Sequence, residues 1–127
     1  MLVKLLLIAA GGALGAVARY GLAGLVQRVG ADFPYGTMSV NVLGCLVIGI
    51  VGAYFAGPAL VREEWRLAIL IGLLGGFTTF STFSFETFQL MNDGAWTRAG
   101  ANVLLTNFLC LSTTWIGYRL TEYFVGP

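Results

Sequence analysis

Residues 75–88 read GGFTTFSTFSFETF: five phenylalanines, six hydroxyl side chains, two glycines and one glutamate in fourteen positions. The first eleven of these close a run of 19 uncharged residues, 67–85, between Arg66 and Glu86. Two comparable runs exist, 29 residues over 33–61 and 20 residues over 99–118. Crossing about 30 Å of hydrocarbon takes about 20 apolar helical residues, so each run reads as a membrane span. A fourth run, 5–18 between Lys4 and Arg19, has only 14 uncharged residues but reaches span length with Leu2, Val3 and the apolar YGLAGLV at 20–26. The decisive stretch therefore lies inside a membrane, and its polar groups need a reason to be there.

Composition agrees. The 127-residue chain is 57% hydrophobic and 10% charged, with a mean hydropathy of +0.83, whereas soluble domains carry about a quarter charged residues. The length implies one domain, 1–127, of four helices at about 2–26, 34–57, 66–91 and 99–123. The turn signals RVGADFPYG, GPALVREE and NDGAWTR separate them. A net charge of +1 argues against a nucleic-acid partner, which requires a basic stripe. The opening MLVKLLLIAAGGALGAVA has the features of a signal peptide, but Arg19 is followed by more apolar sequence, so a first span is the better reading. The chain has no His, no paired carboxylates within a span and no nucleophile–base constellation, which disfavours an enzyme.

Orientation is weakly specified. The termini and the second loop share Lys4, Arg62, Arg66 and Arg119, and the opposite side holds Arg28 and Arg98. This thin positive-inside bias fits a fixed orientation with the termini inside, or insertion both ways to give an antiparallel pair. Small residues one turn apart, Gly11 with Gly15 and Cys45 with Gly49 and Ala53, mark close helix contacts, because in lipid it is backbone approach that drives association.

Polar groups at membrane depth are costly and normally face protein. Arg19 lies near the end of the first helix and either snorkels to the headgroups or attracts anions to a vestibule. Asn41, with Thr37 one turn earlier, needs an interhelical partner or lines a pore. In the third helix, LLGGFTT joins poor helix formers to β-branched residues and predicts a break near Gly75–Thr79. Freed carbonyls are tolerated there only inside protein or beside water or ions. If helix resumes, Phe80 and Phe83 share a face, with Ser81, Thr82 and Ser84 beside them and Glu86 nearer an interface. Asn102, Thr106, Cys110 and Thr114 recur every four residues and line one face of the fourth helix. Cys45 and Cys110 read as small buried residues, with a disulfide between spans as the alternative. Hydroxyl and amide donors with the positive rims of phenyl rings suit a small anion; the residues alone leave a small anion and a proton-coupled solute both open.

GGALGAVARY (11–20), PYGTMSVNVLG (34–44) and GLLGGFTTFSTFSFET (72–87) resemble the Fluc (CrcB) family of fluoride channels over nearly the whole chain. The resemblance implies an all-α integral membrane protein of the bacterial inner membrane, an antiparallel dual-topology homodimer that exports fluoride passively through two pores at the subunit interface. It implies a fluoride pore of Asn41, Phe80, Phe83, Ser81, Thr82, Glu86, Thr114 and Cys110, with Arg19 in the vestibule. Backbone carbonyls of Gly75 and Thr78 from both subunits would hold a structural Na⁺. Cys110 stands where the family has a hydroxyl, and a thiol is the weaker donor. The alternative is a small proton-coupled dimeric exporter of the multidrug type, which needs a deep carboxylate; Glu86 is the only acid within a span.

Overall fold

The computed structural model describes residues 1–126, and it is helical throughout with no strand among them. Helix α1 spans Leu2–Gln27 and α2 spans Tyr35–Ala56. The third span is assembled from α3 (Glu63–Leu67), a π-helical turn (Ala68–Leu73), α4 (Leu74–Phe77) and α5 (Phe80–Asn92). Helix α6 spans Trp96–Val125. Among the described residues, four helical segments are long and apolar enough to cross a membrane: α1, α2, the composite Glu63–Asn92 and α6.

Local chemistry explains the ends. Pro34, which cannot donate a backbone hydrogen bond, stands just before α2. Gln27 closes the preceding loop: its Nε2 donates to the carbonyls of Gly30 and Phe33, and its Oε1 accepts from the Gly36 N–H. Glu63 and Glu64 occupy the first turn of α3, where carboxylates complement the helix dipole. The third helix therefore starts at Glu63 rather than near 66, and the fourth runs 96–125 rather than 99–123. Helical geometry extends past the apolar run into charged turns, and charge spacing measures only the run.

The break falls at Thr78–Thr79, within the expected window. Both residues are extended, with φ,ψ of −85°, 154° and −150°, 117°. Helix restarts because the Thr79 hydroxyl caps α5, accepting from the Thr82 N–H at 3.2 Å. A π turn upstream was not foreseen; such turns frequently mark functional segments of helices.

The most extensive contact joins α2 to α6, and α1 packs on the π turn and α4. Glycine makes both possible. A Cβ on Gly15 would stand 2.2 Å from the Leu73 carbonyl oxygen, and one on Gly49 would stand 2.2 Å from that of Thr114. The buried interior is thin, led by Val40, Leu74, Phe83 and Ala99, while large apolar side chains such as Leu14, Ile71, Phe108 and Leu111 face outward. Outward apolar bulk of this kind is what a bilayer solvates. Ion pairs sit at the ends, Lys4 with Glu63 at 2.9 Å and Arg98 with Asp32 at 3.7 Å.

Gly49→Ala is expected to destabilise the protein by about 1–3 kcal/mol through overpacking. Gly100→Ala, with nothing within 4 Å of its added methyl and a better helix former in place of glycine, is expected to hold or raise the thermal unfolding midpoint in detergent. Equal midpoints for the two variants would contradict the glycine seam.

Candidate functional site

The break exposes the backbone of Thr79, and Asn41 of α2 takes both of its hydrogen bonds. Asn41 Nδ2 donates to the Thr79 carbonyl at 3.0 Å, and its Oδ1 accepts from the Thr79 N–H at 2.8 Å. A primary amide is the side chain that can give and take in one plane, and Nδ2 keeps a second hydrogen for another acceptor. Asn41 is buried, 8% exposed, so the pair joins α2 to the interrupted span within the protein.

Beside this pair lies a cavity of about 210 Å³ lined by Asn41, Cys45, Thr78, Thr79, Phe80, Phe83, Thr106, Asn107 and Cys110. Four of the predicted pore residues, Asn41, Phe80, Phe83 and Cys110, come together here. The Phe80 and Phe83 rings are 5.4 Å apart between centroids, tilted by 48°. Phe83 is buried at 7% exposure, whereas Phe80 is 76% exposed in the single chain. Thr106 comes from the fourth-helix stripe, and Asn107 flanks it. Thr79, Cys45, Thr106 and Asn107 were not singled out as pore residues; the four-residue period on α2 and α6 is the signal that carries Cys45 and Thr106.

A second cleft of about 540 Å³ takes in Arg19, Tyr20, Thr37, Thr79, Thr82 and Glu86. Thr79 lines both spaces, so the break is the partition between them. Arg19 neither extends freely to the surface nor stands alone: its Nε donates to the Gly76 carbonyl at 3.2 Å, satisfying one acceptor freed by the break. The Thr37 hydroxyl donates to Glu86 Oε1 at 2.6 Å. No local pattern signals that contact, since the two residues are 49 positions apart.

Two predicted residues lie elsewhere. Ser81 is exposed, its Oγ 3.4 Å from the Thr79 hydroxyl. Thr114 donates to the Cys45 carbonyl at 3.0 Å, within the α2–α6 seam. The cysteines are both free.

The carbonyls of Gly75 and Thr78 fit a cation in one specific respect. In a continuous helix they would accept from the N–H groups four residues on, those of Thr79 and Thr82. Those amides are diverted to Asn41 Oδ1 and Thr79 Oγ1. Carbonyls of unwound membrane helices are the groups that coordinate Na⁺.

Behind the cavity, Thr106 donates to Asn102 Oδ1 at 3.2 Å, Asn102 Nδ2 donates to the Thr87 hydroxyl at 2.9 Å, and that hydroxyl donates to the Phe83 carbonyl at 2.7 Å. Asn102 is 1% exposed. The first two positions of the predicted stripe are thus partly interhelical glue, which fixes the turn of α5 that carries Phe83.

An all-helical bundle with four spans, a broken third span and a space lined in part by polar side chains on either side of the break defines a small multi-pass membrane protein. Comparison with known proteins places it further. Residues 6–118 match the family model described as "CrcB-like protein, Camphor Resistance (CrcB)", and the chain belongs to that family. It is 52% identical over 120 residues to the fluoride-specific ion channel FluC of Geobacter sp. (strain M21), covering 94% of this chain and 97% of the relative. Relatives of the same name from Geobacter metallireducens, 48% identical over 117 residues, and Vibrio campbellii, 46% over 114, cover 91% and 89% of this chain and 94% and 90% of their own lengths.

Asn102→Leu is expected to destabilise the protein by about 1–2 kcal/mol, since Thr106 loses its acceptor and Thr87 its donor at a buried site. Thermal unfolding in detergent checks this; a midpoint equal to that of the wild type would show the chain of bonds to be ornamental.

Proposed function

We propose that this chain is a fluoride-selective channel of the bacterial inner membrane, formed by two antiparallel copies and exporting fluoride passively. The observation that carries the reading is the meeting of the Asn41 amide with the Phe80 and Phe83 rings in one narrow cavity, in a chain whose relatives are named fluoride-specific ion channels.

Fluoride is small and strongly hydrated, so a path must replace its water with donors at membrane depth. The second Nδ2 hydrogen of Asn41, the hydroxyl of Thr82, which accepts from the Thr79 hydroxyl and keeps its own hydrogen, and the positive rims of Phe80 and Phe83 are such donors. None carries a full positive charge, which suits conduction: the site must bind strongly enough to be entered and weakly enough to be left. Arg19, with one N–H on Gly76, keeps guanidinium donors to draw anions into the outer cleft. Thr82 and Glu86 line that outer cleft and Cys110 lines the inner cavity, whereas Ser81 and Thr114 stand outside both. The outward exposure of Phe80 is accounted for by a second copy covering it. Gly75 and Thr78 of both copies would then hold Na⁺ through their freed carbonyls, a structural role at the two-fold.

The proton-coupled exporter is not supported. Its relatives would have to be exporters, and the relatives found are named as channels.

Liposomes holding the purified protein are expected to release fluoride, followed with a fluoride electrode, with no pH gradient imposed. Phe80→Ile is expected to reduce efflux to the level of empty liposomes while the protein elutes as a dimer in detergent. Efflux that requires a pH gradient, or that survives Phe80→Ile unchanged, contradicts the reading.

A further inference from the structure

We propose that Cys45 and Cys110 together form a two-thiol site for a soft divalent cation that prefers linear coordination, of the mercuric type. Both side chains line the 210 Å³ cavity, Cys45 one turn beyond Asn41 on α2 and Cys110 one turn beyond Thr106 on α6. The two thiols thus face one cavity from different helices, and both are free.

The helices that carry them are clamped at this level. Thr114 donates to the Cys45 carbonyl at 3.0 Å, and Thr113 shares its one hydroxyl hydrogen between the Val42 carbonyl of α2 and the Cys110 carbonyl of its own helix, at 3.2 Å each. Gly49 lets the α6 backbone close in beside them. The two side chains are therefore held beside one cavity by a seam that does not have to form on binding.

Ligand number and charge then select the ion. Among the described residues no group of three or more His, Cys, Asp or Glu is placed to hold a metal, so the protein offers two sulfurs and a few hydroxyl and amide groups. Zinc wants four strong ligands, whereas thiolates favour soft ions. Each thiol gives up one proton as its sulfur bonds the metal, so two protons leave, and no electron is transferred. Two thiolates and a divalent ion make a neutral complex, and a monovalent ion would leave a net negative charge at membrane depth, where an uncompensated charge is costly. The binding claim stands without the channel reading. Only its consequence, a plug in the cavity shared by Asn41 and Phe83, rests on that reading.

The test uses the purified full-length protein, reduced and titrated with mercuric chloride in detergent. Maleimide-reactive thiols are counted at each step, and the adduct is then challenged with glutathione. The expected result is loss of both thiols with one ion per chain. The adduct should also resist a glutathione concentration about a hundredfold above that which strips Cys45→Ser or Cys110→Ser, because chelation makes the second bond intramolecular. One thiol lost per ion, or equal resistance in either serine variant, overturns the proposal; either variant alone suffices if the other does not fold. In liposomes, mercuric block of fluoride efflux that Cys45→Ser relieves supports the plug. Absence of efflux before any metal is added counts against the channel reading and leaves the thiol count to judge the site.

Discussion

A helix cannot be interrupted in a membrane without a substitute for the hydrogen bonds it gives up, and here one side chain supplies it. Asn41 binds the N–H and the C=O of Thr79. In the hydrocarbon core of a bilayer an unpaired backbone group costs several kcal/mol. The break, the restart of α5 at Phe80 and the placement of both phenyl rings beside the cavity all depend on that pair. Thr79 contributes the second half of the arrangement through its hydroxyl, which caps α5, and Arg19 a third through the Gly76 carbonyl.

The same economy shapes the site. Every amide that Asn41 or Thr79 Oγ1 captures is one withheld from a carbonyl upstream, so pinning the break also frees the oxygens of Gly75 and Thr78. In the proposed channel, donors gather on the anion's side and acceptors on the cation's side of a single two-residue interruption. Neutral donors surround the anion, and the Arg19 guanidinium stands back in the outer cleft with Glu86.

Much of this was legible in the sequence. Charge spacing marks four spans, and GGFTT marks the break, because glycine and β-branched residues are poor helix formers and no partner in the same helix rescues them. The four-residue stripe on α6 and the Thr37–Asn41–Cys45 face of α2 are visible as periodicity. What periodicity cannot carry is pairing between spans. The Thr37–Glu86 bond and the diversion of the Thr79 N–H to Asn41 join residues 49 and 38 positions apart, and no local pattern encodes them. Helix ends were misjudged by about a turn at Glu63 and Trp96 for a different reason: charged turns are helical in the interface as well, where composition no longer distinguishes span from cap.

The dual role given to Asn41, scaffold and fluoride donor, is open to a direct test with Asn41→Asp, which is nearly isosteric, keeps an acceptor for the Thr79 N–H and gives up both amide hydrogens, the one on the Thr79 carbonyl and the one offered to fluoride. Fluoride efflux from liposomes holding this variant, measured beside hydrogen exchange at the Thr79 amide, separates the two roles. The account predicts an amide that stays protected and efflux no faster than from empty liposomes. Efflux at the wild-type rate with the amide still protected would contradict it.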